Sequence, residues 1–520
     1  MTLTPAFLHS VRRRRIAANG VNNIGTPGRP GFGAGICPSP PVGFAPMQDH
    51  VNPLSANYGN YQYSDGSVMV WIPAFYMRLA HVGNPTYGTY GVNSIDIKPL
   101  TAYASEAAAN ADGYYLHRAF INAGANQLGF FRDKYDCSQN GTIASSIAGV
   151  QPMVSGPMAG QIGFSGCTAN GQAPANAYYG AINAARSRGN PFFPETVFMA
   201  DALTRISEAH AQAATSTTWC AWYSAGTTNF PKGNDNDALH STDDAGVTFT
   251  SAGNATYPSF ALAGSGVPFA KTTHNGQACG VTDVAGNIYK INPGMTSIAA
   301  TKAITGATQA NPVALTIVGH GYATGRVALI TNVGGMVQIN NRMYTLTVAD
   351  ADHVTLDGVD GTAYTAFTAG GSCTTGSLYL LKPTVDVATI TSGVALATDH
   401  WGATGVAAMF DAVTPNFATG AANNAVAQRY GNGANQVFGW GTAADRGLSM
   451  AGLPAAGGVS AAGSNLMGLD YFYQYIVDQL CVISRGNWYY GTYAGVRTRN
   501  LNNARTNAGN SVGFAASRYL

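Results

Sequence analysis

The C-terminal segment 486–510 concentrates side chains that suit the binding of polar ligands. It carries six Asn, three Tyr, one Trp and three Arg, and it contains no Asp, Glu or Lys. Tyr and Trp rings offer large contact areas with few rotatable bonds, so ordering them in a complex costs little entropy. Asn both donates and accepts hydrogen bonds, while Arg pairs with carboxylate or phosphate groups through parallel bonds. The segment therefore predicts an exposed surface that binds sugars or similar ligands.

Eight residues of this surface are predicted to touch the ligand: Trp488, Tyr489, Tyr490, Tyr493, Arg497, Arg499, Asn500 and Asn502. Exposure is expected for six of them: Tyr489, Tyr490, Tyr493, Arg497, Arg499 and Asn500. For Trp488 two interpretations stay open, packing in the core and contact with the ligand. Arg485, just before the segment, is expected to bond backbone groups inside the domain. Burial of the whole face at a subunit interface is the alternative to ligand binding.

A second cluster of possible ligands lies in the segment 233–246. It gathers four carboxylates near one imidazole: Asp235, Asp237, Asp243, Asp244 and His240. Carboxylate oxygens at this density suit Ca²⁺, but the sixth position of an EF-hand loop counted from Asp235 would be His240 instead of Gly. A solvated turn is the alternative, so the sequence leaves a metal site open.

Local catalytic signatures do not stand out in the sequence. There is no P-loop or H-E-x-x-H pattern, and His320 has no nearby acid or nucleophile in sequence. The seven Cys show no C-x-x-C spacing, which predicts buried apolar thiols. We therefore expect no catalytic residue and no cofactor, although a glycosidase carboxylate pair need not be close in sequence.

Composition indicates a large globular protein rich in loops. Of its 520 residues 46% are hydrophobic, only 10% are charged and 64 are Gly, which suits short strands joined by long turns. The net charge of +2 and a single basic run at 12–15 argue against a nucleic-acid surface. The N-terminus has its charges after a short apolar run, the wrong order for a secretory signal, so we expect synthesis in a cytoplasm.

The chain divides into four predicted parts. Residues 1–60 are rich in Gly, Pro and Asn and predict an extended arm ordered by contact with something else. The parts 61–301 and 375–520 would form one domain, interrupted by a small all-β domain at 302–374. That insert shows short alternating strands between Gly- and Asp-bearing turns. Its flanks 287–294 and 377–384 predict the two strands of one hairpin.

Several individual elements are also predicted. Strands are expected at 67–80, 114–120 and 129–135, because these runs are β-branched or aromatic. From Val197, apolar residues recur at helical spacing (Phe198, Ala202, Ile206 and Ala209), which predicts a helix followed by a second short helix. Another helix is expected at 405–413, and a buried element at 469–488.

Three pieces of the sequence, in order, resemble the formylglycine-generating-enzyme or sulfatase-modifying-factor group, a variant of the C-type lectin fold. Segment 64–79 resembles its opening strand. Segment 280–291 is similar to its Gly-Leu-x-Asp-x-x-Gly-Asn motif through Gly280, Asp283, Gly286 and Asn287. Segment 483–514 resembles its Arg-Gly-Gly-Ser/Asn-Trp…Gly-Phe-Arg ending through Arg485, Gly486, Asn487, Trp488, Gly513 and Phe514. The resemblance implies an α+β, C-type-lectin-like domain with two or more helices and long loops.

The departures from this group concern its chemistry. No Cys lies between Trp488 and Phe514, whereas the enzymes of the group carry a cysteine pair there. Lys290 and Ile291 replace the usual Glu-Trp, and Ala515 replaces the closing Arg. Without a thiolate the oxygen-dependent thiol chemistry has no nucleophile. The resemblance therefore implies the fold and not the activity, and Asp283, Gly286 and Asn287 are expected to form a structural turn.

A second branch of the same fold is a better match. The C-terminal segment resembles the Trp/Tyr/Asn-rich binding surface of retroelement-diversified ligand-binding proteins and of related phage tail proteins. The implied function is a tail-fibre or tail-tip adhesin in the virion, a homotrimer bound to other tail proteins through residues 1–60. Its receptor would be a glycan, pilus or outer-membrane protein of the host bacterium, and not nucleic acid. The alternatives are a structural tail or baseplate subunit, a polysaccharide-degrading enzyme, or a formylglycine-type oxidase.

Overall fold

The computed structural model describes residues 20–223, 246–250, 259–266, 269–390, 406–413, 428–429, 440, 442–453, 470–488 and 494–520. Within these ranges the chain is a mixed α+β protein whose regular structure is mostly strand. The helices are α1 (Tyr87–Tyr90), α2 (Glu106–Ala111), α3 (Gly180–Arg186), α4 (Val197–Ala213), α5 (Val406–Met409) and α6 (Ala443–Ser449). None of these described helices is long and apolar enough to cross a bilayer.

The strands are short and form several separate sheets. In chain order they are β1 (Phe44–Pro46), β2 (Asn60–Tyr63), β3 (Val68–Pro73), β4 (Phe75–Leu79), β5 (Ile95–Pro99), β6 (Tyr115–Leu116), β7 (Ile121–Asn122), β8 (Ala125–Asn126), β9 (Gly129–Asp133), β10 (Cys137–Asn140), β11 (Ile143–Ser146), β12 (Phe193–Pro194), β13 (Tyr289–Asn292), β14 (Met295–Ala303), β15 (Gly306–Ala307), β16 (Ala314–Thr316), β17 (Arg326–Thr331), β18 (Arg342–Val348), β19 (His353–Leu356), β20 (Ser372–Leu381), β21 (Phe410–Val413), β22 (Gln428–Arg429), β23 (Tyr471–Gln474), β24 (Val482–Ser484), β25 (Arg499–Leu501), β26 (Val512–Gly513) and β27 (Ala516–Arg518).

The first sheet joins the two ends of the described chain. Its strand order is β1-β2-β3-β9-β27-β12, and β27 pairs antiparallel with β9 so that Ser517 faces Arg132. The predicted strands at 67–80 and 129–135 are confirmed, but the first is two strands. The chain leaves β3 at Pro73 and enters β4, which belongs to a different, three-stranded sheet with β5 and β6. The predicted strand at 114–120 is limited to β6, because a 3-10 turn over Arg118–Phe120 follows it.

Residues 20–60 belong to the main core, so the prediction of an extended arm over 1–60 is wrong for them. Ile24, Phe32 and Tyr58 are fully buried in the same cluster as the first sheet. These residues are rich in Gly because their backbone packs closely against other parts of the core. A Cβ on Gly33, where φ is +87°, would lie 2.6 Å from a methyl carbon of Ile206 on α4. Glycine is required there because the chain crosses the helix at contact distance.

Helix α4 is the central element of the larger domain. It begins at Val197 as predicted, and Thr196 caps it by accepting a hydrogen bond from the amide of Met199. Every residue from Val197 to Ala211 is buried, including its charged ones. The predicted second short helix is wrong, since residues 214–223 form turns.

The second sheet carries the C-terminal segment. Its strand order is β22-β23-β25-β24-β13-β26, with β25 between β23 and β24. Strand β13 pairs with β24 on one side, with Lys290 opposite Ser484, and with β26 on the other, with Tyr289 opposite Val512. The sheet therefore brings residues 289–292 next to segments about 190 and 220 positions later.

The third sheet extends from the larger domain into the β module, residues 302–374. Strands β14 and β20 pair in register from Met295 with Leu380 to Ala303 with Ser372. Beyond them, β15–β19 enclose a separate apolar cluster. The prediction that 287–294 and 377–384 form one hairpin is wrong. Segment 287–294 includes β13, which pairs in the second sheet, and the partner of β20 is the next strand, β14. The predicted helix at 405–413 is also mostly wrong: α5 has four residues and β21 follows it as a strand beside β20.

Candidate functional site

The predicted binding segment lies largely inside the protein. Arg499 is 1% exposed, Arg497 and Asn500 are 7% exposed, and Trp488 is 2% exposed. The expectation that Arg497, Arg499 and Asn500 face solvent is therefore wrong. Asn502 is half-buried, and its Oδ1 accepts a hydrogen bond from Asn503 at 2.7 Å. Tyr489, Tyr490 and Tyr493 lie outside the described residues.

The physical reason for this burial is a set of acidic side chains on and near α4. We call these acids and the buried arginines around them the charged centre, which comprises Arg132, Glu195, Asp201, Arg205, Glu208, Asp470, Arg485, Arg497 and Arg499. Each of these side chains is nine-tenths or more buried. Buried ions are tolerated only when they are paired and hydrogen-bonded. Because their partners come from distant parts of the chain, the sequence alone did not reveal them.

Glu208 joins α4 to the C-terminal segment. It accepts a charge-assisted bond from Nε of Arg497 and lies 3.0 Å from Nη1 of Arg205. Arg205 also bonds Asp201 at 3.1 Å, and Asp201 in turn lies 3.2 Å from Nε2 of His117. Nδ1 of His117 accepts from the amide of Ala119, so the proton of a neutral ring is on Nε2 and points at Asp201. Burial lowers the pKa of His117, which keeps the ring neutral.

Glu195 is shared by two arginines. Its carboxylate lies 3.0 Å from Arg485 and 3.3 Å from Arg132, and all three side chains are fully buried. Burial raises the carboxyl pKa, but the two guanidinium groups outweigh it and hold the pKa of Glu195 below its usual value. Arg485 also donates to the carbonyl oxygen of Ala200 at 3.2 Å. The expected backbone contact of Arg485 is confirmed, together with an ion pair that the sequence did not predict.

Asp470 differs from the other acids of the charged centre. Its Oδ2 accepts from the backbone amide of Arg497 at 2.7 Å, but Oδ1 has no hydrogen-bond partner among the described residues. Burial raises the pKa of Asp470 to about 7, against the opposing effect of the Arg497 amide and charge. This carboxyl group therefore titrates near neutral pH.

Arg499 and Asn500 are held by backbone groups and by the sheet. Nη1 of Arg499 donates to the carbonyl oxygen of Thr498 at 3.0 Å, and Nη2 lies 3.4 Å from the Thr204 hydroxyl on α4. Asn500 lies in the middle of β25, opposite Tyr473 on one side and Ile483 on the other. Arg499 therefore contacts α4 and Asn500 lies between two strands of the second sheet, so both residues are part of the fold's interior.

Trp488 packs in a small apolar cluster with Val154, Phe260 and Ile288. Of its two interpretations, core packing is confirmed by this burial. Its backbone amide donates to the carbonyl oxygen of Asn287 at 2.9 Å, which holds the chain after β24 against the turn before β13. On the return side Ala494 is buried against Gly486, where φ is +73° and a Cβ would lie 2.4 Å from the Ala494 Cβ. The two residues that flank 489–493, Trp488 and Ala494, are therefore both packed inside the protein.

The motif at 280–291 forms a structural turn, as expected. Asp283 and Asn287 both adopt positive φ, +58° and +64°. Asp283 accepts from the amide of Gly264 at 2.9 Å, and Asn287 donates to Asp136 at 3.2 Å. Lys290 is fully buried 3.0 Å from Asp136. The ammonium group of Lys290 is therefore paired with a buried acid.

The structure also contains an open recess that the sequence did not predict. It has a volume of about 450 Å³ and lies between the segments 53–56, 217–221 and 270–279. Trp219 and Leu54 provide apolar surface, while Lys271 and Gln277 provide polar groups. Because its walls come from three distant segments, no local pattern in the sequence could have indicated it.

Other candidates have structural roles or lie outside the description. The possible calcium cluster at 233–246 falls almost wholly in residues that the structure does not describe, and the described part of the chain holds no metal-binding group of three His, Cys, Asp or Glu. His320 accepts from the amide of Tyr322 through Nδ1 and contacts the Asp350 carbonyl oxygen through Nε2. All seven Cys are buried and unpaired, in agreement with the sequence.

Comparison with known proteins adds no family to these observations. A scan against protein-family models and a search of curated proteins both find no match to this chain.

Proposed function

We propose that this chain is a receptor-binding subunit of a phage tail, with a C-type-lectin-like larger domain that binds a host surface glycan or protein. The proposal starts from the motif resemblance, and one observation of the fold supports it. The middle and final motifs meet in one sheet. The amide of Gly286 donates to the carbonyl oxygen of Arg485, and the amide of Trp488 donates to that of Asn287, both at 2.9 Å. Two segments that resemble one family in sequence also contact each other through backbone bonds.

The burial of the arginines changes which residues we assign to binding. Arg497, Arg499 and Asn500 form part of the support, so they are not proposed as receptor contacts. The assignment moves to Tyr489, Tyr490 and Tyr493, which follow the packed Trp488 and precede the packed Ala494. A binding segment gains affinity when its supports are fixed before the ligand arrives, because less entropy is lost on binding.

Thiol oxidation receives no support from the geometry. Cys481, the cysteine nearest the final motif in sequence, is fully buried, and burial raises its pKa well above the ordinary value. A thiol in that environment is not a ready nucleophile. We therefore propose binding without an enzymatic step.

Adsorption of virions to host cells tests the proposal. The triple variant Tyr489→Ala/Tyr490→Ala/Tyr493→Ala is expected to reduce the adsorption rate constant at least about tenfold, because losing one aromatic contact typically costs about 2 kcal/mol. The matched triple Tyr→Phe variant keeps the ring area and should lose less. Wild-type adsorption by particles that carry the folded Ala variant would contradict the assignment. Shortening of host polysaccharide by the purified chain would favour an enzyme instead.

A further inference from the structure

The recess between segments 53–56, 217–221 and 270–279 has the dimensions of a small-molecule site. Its volume of about 450 Å³ lies within the range of roughly 300–1,000 Å³ that is typical of ligand pockets. It lies on neither the second sheet nor the charged centre, since its walls are loops before β2, after α4 and before β13.

The lining of the recess combines one aromatic ring with many hydrogen-bonding groups. The indole of Trp219 is half-buried, and beside it are the hydroxyls of Ser55, Thr217 and Thr218. The side-chain amide of Gln277 is bonded to Gly31, Arg29 and His210 and forms part of the wall. An aromatic face beside hydroxyls suits a sugar ring, which has an apolar face and a rim of hydroxyl groups. Lys271 adds an ammonium group to the wall.

A second ammonium group lies behind the wall of the recess. Lys134 is 4% exposed, and its Nζ donates to the carbonyl oxygens of Ala56 and Ala278 and to Oδ1 of Asn60, at 2.7–3.1 Å. All three acceptors are neutral, and no ion pair in the described part of the chain involves Lys134. Since Ala56 and Ala278 themselves line the recess, an uncompensated positive charge stands directly behind it. Such a charge attracts an anion, and more strongly where water is partly excluded.

Two buried histidines form hydrogen bonds behind the walls of the recess. His274 is fully buried, contacts the carbonyl oxygen of Gly33 at 2.9 Å and accepts from the amide of Val281 at 3.0 Å. Nε2 of His210 contacts the carbonyl oxygen of Trp219 at 2.6 Å, while its Nδ1 accepts from the amide of Gly28. These contacts hold the backbone near Trp219 and Gln277. Binding then costs less conformational entropy, because the residues that contact the ligand are already held in place.

We propose that this recess binds an acidic sugar, a hydroxyl-rich ring that carries one carboxylate, such as a uronic acid residue. The ring stacks on Trp219, the sugar hydroxyls bond the Ser and Thr side chains, and the carboxylate faces Lys271 and the field of Lys134. The inference depends on the recess alone and does not require that segment 489–493 binds a receptor.

Calorimetric titration of the purified full chain with two matched disaccharides tests the proposal. Cellobiouronic acid carries a glucuronate carboxylate where cellobiose carries a hydroxymethyl group. We expect saturable binding of cellobiouronic acid at least about tenfold tighter than that of cellobiose, and weakening as salt concentration rises. Equal affinities, or no saturable binding of either disaccharide at low salt, would overturn the proposal.

Two variants at an exposed rim residue locate the site without threatening the fold. Leu54 lines the recess and is 61% exposed, so Leu54→Glu and Leu54→Gln should both fold. Only the glutamate places a like charge beside the bound carboxylate, and it should weaken cellobiouronic acid binding about fivefold or more relative to the glutamine. Identical affinities for the two variants would place the binding elsewhere and overturn the assignment.

Lys271→Gln, which removes a charge from the wall, should also weaken binding of cellobiouronic acid about fivefold. The control is Lys302→Gln on β14, outside the residues that line the recess, and it should bind as the wild type does. Equal losses in both variants would indicate a general charge effect and contradict the site. Because the receptor assay depends on Tyr489, Tyr490 and Tyr493, a negative result there leaves these titrations unaffected.

Discussion

Fifteen side chains form the core of the β module, and none of them is charged, whereas the centre of the larger domain encloses five arginines with their acids. The module's core residues alternate along its strands, as Val313, Leu315 and Ile317 do. In the charged centre the partners of one carboxylate come from distant positions, as Arg132 and Arg485 do for Glu195. The comparison teaches that an apolar core follows from local periodicity, while a core of ion pairs depends on contacts formed only in the complete fold.

The largest effect is expected where one acid compensates two buried cations. Glu195→Ala leaves Arg132 and Arg485 without their shared carboxylate in an environment that excludes water. Breaking a buried pair in this way costs about 3–5 kcal/mol, so the larger domain should lose most of its stability. Denaturant unfolding followed by tryptophan fluorescence measures the change. A loss below about 1 kcal/mol would show that the charged centre does not hold the domain together.

The next largest effect should be confined to the β module. Leu315→Ala removes a fully buried side chain from its core, which typically costs about 2–5 kcal/mol. Hydrogen exchange should accelerate in β16–β19 and stay unchanged in β3 and β9. Equal acceleration in both regions would mean that they unfold as one unit, coupled through the contact of Leu329 and Met343 with Ile476.

Asp470 gives the charged centre a pH dependence that the module core lacks. Its folded pKa of about 7 is above that of an exposed Asp, so its contribution to stability is complete below about pH 4 and is lost as the pH rises to 7. Asp470→Asn keeps an acceptor for the Arg497 amide and removes this titration. The stability of the variant relative to wild type should therefore increase by about 1 kcal/mol per pH unit between pH 4 and pH 7.

Unfolding midpoints of both proteins at several pH values check this slope. A constant difference between the variant and the wild type would contradict the raised pKa of Asp470.

The smallest effect is expected for an acid on the surface of the module. Asp350 pairs with His353 at 2.8 Å, but both side chains are about half exposed or more. Asp350→Asn should leave the thermal midpoint unchanged within error, since exposed pairs are screened by water and salt. A shift as large as that of Glu195→Ala would remove the distinction between exposed and buried acids that separates the two regions.

Much of the fold was predictable where the signal is local. The strands β3, β4 and β9, helix α4 from Val197 and the strands of the module all follow from residue type and spacing. Residues 20–60 were misjudged because Gly and Pro indicate loops equally well whether the loop is extended or packed against a helix. The pairing of β13 with β24 was missed because a hairpin with β20 appears equally good in sequence.

The site was harder to predict than the fold. Arg497 and Arg499 have the composition of a binding surface, and their burial depends on contacts with Glu208 and Thr204 of α4, nearly 300 positions earlier. The turn of Asp283 and Asn287 and the backbone contact of Arg485 were predicted because a motif identified them. The recess was not predicted, since Leu54, Trp219 and Lys271 belong to no common pattern.

Chemical labelling of arginine tests most directly whether Arg497 and Arg499 support the fold instead of facing a receptor. Phenylglyoxal modification of the native chain, followed by peptide mass spectrometry, compares Arg497 and Arg499 with the exposed Arg342 of the module. We predict that Arg342 reacts rapidly, while Arg497 and Arg499 react only after denaturation. Labelling of Arg497 and Arg499 at the rate of Arg342 in the folded protein would contradict the account.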